Sequence, residues 1–266
     1  MSLHTIMNTR IWATALLLVC AGLAPSVRAD TVSLNPSADT ALLEYFPENN
    51  FGGQLYFNAG TTQNGPRNRG LLRFDIASLL PAGSIINSVS LTMEVVGQPV
   101  DGDAPSTFEL HRMLRDWGEG TGSGNPPTLG RPALAGEANW THRFASSDQT
   151  WGAPGGLPGV DFADFGSGDT YVYGTSQSPY VWEAYDEMAA DVQGWLNNPA
   201  ENFGWMLISR TEGEIFGARR FAAREDSFRA PLLVIDFTPV PEPGTVALGG
   251  LALLWMIVRR WPRQRS

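Results

Sequence analysis

Eight side chains between positions 140 and 182 are of the types that hold a sugar: Trp140, Trp151, Tyr171, Tyr173 and Trp182, with Arg143, Asp161 and Asp164 among them. A pyranose ring lays its axial C–H groups on an aromatic face. Its equatorial hydroxyls bridge to carboxylates, amides and guanidinium groups, so tryptophan and tyrosine beside polar loops are the equipment required. The five rings are therefore the expected stacking platform, and the arginine and two aspartates its polar partners. The alternative is that the rings fill a small core of their own, as large aromatics usually do.

Oxygen ligands for a hard cation form a second set. Asp39 near the first long strand and Asp236 in the last are the candidate pair for a structural calcium clip across a sheet edge. Asp101-Gly102-Asp103 and the stretch from Asp161 to Asp169 are alternative clusters. None has the spacing of a calcium-binding loop, and Asp-Gly also suits a plain turn. The chain has no lysine, so every positive side chain is a guanidinium suited to bidentate pairing with carboxylates. At period two, Arg69, Leu71 and Arg73 share one face of a strand while Leu72 and Phe74 share the other. Those arginines either pair with carboxylates such as Asp75 or Glu225, or join Arg219, Arg220 and Arg224 in binding an acidic polysaccharide.

Catalytic signatures are sparse. There is no Gly-x-Ser-x-Gly, no His-Glu-x-x-His and no phosphate-binding loop. Asp116, Glu119 and Glu137 would serve glycoside hydrolysis if two of them stood about 5 to 10 Å apart. A lyase would recruit His111 or His142 with Tyr173. The expectation is a non-catalytic protein without an assigned catalytic residue, with a polysaccharide lyase or hydrolase as the rival and a purely structural surface protein as the third reading.

The elements that must position these groups are strands. Leu91, Met93 and Val95 alternate with Ser90, Thr92 and Glu94, and Phe108 and Leu110 continue the habit, which marks strands with one face buried. Further strands are expected over 38–46, 54–58, 71–76, 203–209, 218–224 and 232–237. One amphipathic helix is expected over 185–197, where Met188, Val192, Trp195 and Leu196 fall on one face and Asn197-Asn198-Pro199 ends it. Between Gly118 and Thr170 glycine and proline leave little room for regular structure, but the tryptophans there argue against disorder, so this long loop is expected to fold over the strands. The fold class is all-β, a jelly-roll-like β-sandwich with one short helix.

Both ends read as addresses. Residues 1–29 have Arg10, an apolar run from Ile11 to Leu23 and the small-residue site Val27-Arg28-Ala29, a secretory signal peptide cut between Ala29 and Asp30. The single cysteine, Cys20, lies inside it, so the exported chain has no thiol. Residues 240–266 hold Pro241-Glu242-Pro243-Gly244, fourteen uncharged residues from Thr245 to Val258 and then Arg259, Arg260, Arg263 and Arg265. That order, breaker, short transmembrane helix and arginine-rich end, keeps the tail cytoplasmic and exports what precedes it. Residues 30–239 are then one domain carrying twelve of the eighteen basic and twenty-six of the twenty-seven acidic residues, which speaks against nucleic acid as a partner.

The tail resembles the PEP-CTERM sorting signal, and the resemblance implies export through the Sec translocon, transit through the inner membrane, handling by an exosortase and delivery to the bacterial cell surface or extracellular matrix. The middle of the chain is similar to the DNRLRE-type domain. The residues that carry this are Asp39-Thr40, Asn50-Phe51-Gly52, Asn68 to Asp75, Leu79 to Gly83 and Ile86 to Val95, then Asp191-Val192, Trp195, Asn202 to Trp205, Arg219 to Glu225 and Pro231 to Val234. This second likeness implies a jelly roll related to carbohydrate-binding modules and association with extracellular or cell-wall polysaccharide. Two departures stand out: the segment from Gly118 to Thr170 is longer than the usual connection, and Ala223-Arg224-Glu225 stands where Ser-Arg-Glu is commoner.

Overall fold

Alternation of buried and open positions decides which stretches pair. In the computed structural model, which describes residues 28–101, 104–124, 126 and 129–240, the strands are β1 (Asp30–Leu34), β2 (Ala38–Leu43), β3 (Asn49–Asn50), β4 (Tyr56–Thr61), β5 (Arg67–Arg73), β6 (Ile85–Met93), β7 (Val95–Gly97), β8 (Ser106–Arg112), β9 (Arg131–Pro132), β10 (Gly168–Val172) and β11 (Tyr180–Glu183). Helix α1 (Asp186–Asn197) follows, then β12 (Trp205–Ser209), β13 (Arg219–Ala222) and β14 (Leu232–Thr238). Residues 1–27 of the expected signal peptide and the tail from Pro241 through Glu242 and Pro243 to Ser266 lie outside the described residues. Ala29 and Asp30, the expected cleavage pair, are exposed at the start of β1.

β3 and β9 pair on their own, and the other strands make two antiparallel sheets. The smaller has the order β1-β14-β6-β11, and the larger runs β10-β8-β12-β5-β4-β13-β7 with β2 also on β5. Their facing sides share one core. Val89, Leu91, Met93, Leu233, Ile235 and Phe237 of the smaller sheet pack with Phe57, Leu72, Phe108, Leu207 and Phe221 of the larger. Trp182 of β11 crosses the gap: its indole N–H donates to the Phe108 carbonyl at 2.9 Å and its ring lies 6.2 Å from that of Phe221. The fold is thus an all-β sandwich with one helix, as the alternation predicts.

The helix begins one residue later than its sequence pattern suggests and buries the expected stripe of Met188, Val192, Trp195 and Leu196. Trp195 meets Trp205 at 4.6 Å in an edge arrangement, and Gln193 takes the Ile86 N–H and donates to the Ser84 carbonyl. The helix is thereby fixed to the first residues of β6.

The larger sheet is covered on its second face too. Leu42 of β2, Leu71 of β5 and Met206 of β12 point away from the first core and meet Met113, Trp117, Ala138, Trp140, Trp151 and Phe162. Those last six come from the glycine-rich segment between β8 and β10. Close approach explains the glycines: a Cβ on Gly118 would stand 1.8 Å from the Gly136 carbonyl oxygen. The long loop is a third layer with its own apolar core.

Candidate functional site

The arginines of the larger sheet differ in whether they meet a described carboxylate. On the outer face of β5, Arg67 makes a two-pronged pair with Glu44 (3.0 and 2.7 Å), Arg69 another with Glu212 (2.8 and 2.6 Å), and Arg73 bonds Asp116 at 2.7 Å. Arg69 also donates to the carbonyls of Gly155 and Gly156, and its guanidinium lies 6.0 Å from the Trp140 ring. The sequence places these arginines on the correct face but names other partners: neither Asp75 nor Glu225 meets them. Elsewhere Arg131 is held by Glu137, Arg210 by Glu109 and Asp169, Arg224 by Glu119 and Glu225, and Arg229 by Asp226. A matched guanidinium has little left for a ligand.

Most of the expected platform is part of this interior. Trp182 sits in the sandwich core, and Trp140 and Trp151 sit in the core of the third layer, with the Trp151 indole donating to the Asn139 carbonyl. The stacking role expected of these three is corrected, because ring faces inside a packed core meet no sugar. Asp161 is fully buried, where its carboxylate accepts the backbone N–H groups of Gly152 and Leu157, so it shapes a turn. Arg143 donates to the Asp116 carbonyl. Asp164 lies against Gly159 in the turn that precedes β10. The site expected from the aromatic segment is not brought together as a surface.

Tyr171 and Tyr173 are different. Each is 50% exposed, on the outward side of the end of β10 and just beyond it, and the rings meet edge to face at 4.9 Å and 72°. Two rings at that angle form a corner. Alongside, in register across β8, lie Asp169 and Glu109, which share Arg210.

The proposed calcium pair is corrected as well. Asp236 is in the smaller sheet, where its carboxylate accepts the hydroxyls of Thr31 and Ser88, and these hold it below the usual aspartate range. Asp39 belongs to the larger sheet. Burial pushes its carboxyl well above the usual range, against the pull of the Arg224 backbone N–H, which donates to it at 2.7 Å. Glu119 accepts from the Asp39 backbone N–H and from the Arg224 side chain, and Glu225 completes the cluster with a raised pKa, again through burial first. Among the described residues no group of three or more acidic, histidine or cysteine side chains is arranged to hold a metal ion.

The carboxylates considered for hydrolysis each have an arginine: Asp116 has Arg73, Glu119 has Arg224, and Glu137 has Arg131. Burial works to raise Glu137, but the bonds from Arg131, Leu134 and Thr121 outweigh it and bring the group down to about 2. His111 bonds the Ala163 carbonyl and packs on Phe162, and His142 bonds Thr141.

A cleft of about 450 Å³ opens beside Arg220, one of the arginines that the sequence offers to an acidic polysaccharide. Its walls are the outer side of β4 and β13 (Asn58, Arg220), the ends of β2 and β5 (Leu43, Asn68), the turn from Thr62 to Pro66, and Gly97 to Pro99. At its rim Tyr45 is 67% exposed, its ring set at 89° and 4.7 Å against Phe46. Among the described residues the side-chain amides of Asn58, Gln63, Asn64 and Asn68 have no hydrogen-bond partner. Arg220 likewise forms no ion pair with any described carboxylate. Its stem crosses Gly97, where a Cβ would stand 2.9 Å from the arginine Cδ, and its guanidinium lies 4.9 Å over the Tyr56 ring. The cleft thus combines an open aromatic face, four amides without a described partner and a guanidinium without a described carboxylate.

Neither protein-family models nor curated proteins give a match to this chain. The signal for the cleft was present in the sequence as Asn58, Gln63, Asn64 and Asn68 clustered about one turn, with Tyr45 just before it. Amides in a turn read as turn chemistry, which is why they carried no weight.

Proposed function

We propose that this is an exported, surface-sorted protein that associates non-catalytically with polysaccharide through the Tyr45–Arg220 cleft. The jelly-roll topology and the DNRLRE-type resemblance belong to this proposal, as do exosortase processing of the tail and a cell-surface or extracellular address. The observation that carries it is Arg220, an exposed guanidinium that meets no described carboxylate, held in place by Gly97 and Tyr56 beside amides without a described partner. Open amides suit sugar hydroxyls, Tyr45 supplies a stacking face, and an uncompensated cation favours chains carrying acidic groups over neutral ones.

The test is retention of the purified full-length protein on a panel of immobilised neutral and acidic polysaccharides, scored also for chain cleavage. Tyr45→Ala and Arg220→Ala should each weaken retention by about 1–3 kcal/mol. Equal retention of both variants and the parent would remove the cleft from consideration, and shortened chains would turn the reading to an enzyme.

A further inference from the structure

The turn that forms one lip of the cleft carries Asn64-Gly65, the one Asn-Gly pair in the chain. Asn64 and Gly65 are both exposed, Gly65 has a φ of +105°, and the space where its Cβ would lie is open to 4 Å. A glycine after asparagine leaves the backbone nitrogen unhindered, since no side chain screens its approach to the asparagine carbonyl carbon. One bond restrains that nitrogen, a 3.2 Å hydrogen bond to the Thr62 carbonyl at the surface of the turn. The Asn64 side chain has no hydrogen bond with a described residue to hold it away.

From this juxtaposition we infer that Asn64 is a site of spontaneous modification, deamidation through attack by the Gly65 nitrogen, which changes the charge of the cleft. The Gly65 nitrogen loses its proton and bonds to Cγ of Asn64, and the side-chain nitrogen leaves with that proton as ammonia, closing a succinimide. Water then adds to one of the two ring carbonyls and opens the ring. The product is aspartate, or isoaspartate when the main chain runs through the former side chain. No electrons are exchanged, and water is the one co-reactant.

No other asparagine is followed by glycine, and several are also held by hydrogen bonds. The side chain of Asn50 is held by Glu119, Ala138 and Gly122, and that of Asn139 by Thr141 and His142. Asn139 is also buried, so the Asn139-Trp140-Thr141 sequon is closed to a glycan in the folded chain. The new carboxylate at position 64 would line the same cleft as Arg220, supplying the counter-charge that the described residues omit. The effect on ligand rests on the proposed function, whereas the modification does not.

The full-length protein, incubated at neutral and mildly alkaline pH, is digested and sequenced by mass spectrometry, with retention on an acidic polysaccharide followed on the same samples. The expected result is an amide-to-acid mass gain at residue 64 ahead of every other asparagine, absent in Asn64→Gln. Retention should fall in parallel and be lower in freshly made Asn64→Asp by roughly two- to fivefold, the worth of an exposed charge pair. An intact Asn64 after other asparagines have converted overturns the inference. Conversion with Asn64→Asp retained as well as the parent overturns its link to the cleft. Failure of every variant, parent included, to be retained would instead sink the proposed function, and the mass measurement would still decide the fate of Asn64.

Discussion

The two ends of the larger sheet's outer surface treat arginine in opposite ways. Under the third layer, Arg67, Arg69 and Arg73 lie against Trp140 and Trp117 and each closes on a carboxylate. At the cleft, Arg220 lies on Tyr56 in the same aromatic manner, yet has no described carboxylate. The ring contact is common to both regions and so cannot mark function. The counter-ion is what differs, and a cation left without one beside unpaired amides is the stronger sign of a ligand.

The comparison can be broken most forcefully in the interior. Trp182→Ala should destabilise by about 3–5 kcal/mol, the cost of truncating a large buried aromatic, and a small change in the denaturant midpoint would contradict the cross-sheet role given to this ring. Arg69→Met should cost about 3 kcal/mol, since it leaves Glu212 and two glycine carbonyls unpaired in a nearly closed site. Arg220→Met should do the reverse, leaving the midpoint unchanged within about 0.5 kcal/mol while reducing polysaccharide retention. If Arg220→Met unfolds the protein as Arg69→Met does, the contrast between the two regions is lost.

A subtler test uses pH. The carboxyls of Asp39, Asp191 and Glu225 are raised in the folded state, in each case chiefly by burial. The folded chain therefore binds their protons more tightly than the unfolded chain. Their contribution to stability is complete below the ordinary carboxylate pKa of about 4 and is lost as pH rises through the raised values. Glu44, Glu137, Asp226 and Asp236 are lowered, so their contribution is present above the ordinary range and lost as pH falls toward values such as the 2 of Glu137. Thermal midpoints should accordingly be highest in mild acid, near about pH 5, and decline toward alkaline pH. Asp39→Asn should flatten the alkaline side. A midpoint that climbs steadily from pH 5 to 8 would show that the cluster at Arg224 does not act this way.

Much of the sandwich was legible because its strands obey period two. The spans around Leu91, Phe108, Leu207 and Ile235 were found, and so was the helix, whose four apolar residues fall on one face. Strands β1, β10 and β11 were missed, as were the two-residue strands β3 and β9. β1 and β11 are edges of the smaller sheet and β10 ends the larger one: Asp30–Leu34 buries only Leu34, β10 buries only its two end residues, and β11 alternates strictly but is four residues long. β5 begins at Arg67, four residues before the expected start, because Arg69 is buried by its pairing with Glu212 and the stretch looks polar in a hydropathy reading. The same effect misled the search for a site. Density of tryptophan pointed to Trp140 and Trp151, yet a segment so poor in strand and helix must bury its large rings to be folded at all. The cleft, by contrast, assembles Tyr45, Asn68 and Arg220 from three remote stretches, which only the pairing of β4 with β13 and of β2 with β5 brings near one another.

The third layer has a consequence for how the chain meets a protease. A protease ordinarily nicks long irregular segments first, and residues 113–167 have the glycine and proline content of such a target. Here that segment is the far wall of a core whose near wall is the larger sheet, so opening it enough to enter an enzyme's groove strips Leu71 and Met206 of their cover. Endurance against digestion is thereby tied to the sheet itself, and the part of the chain that looks most vulnerable should be among the last to be cut.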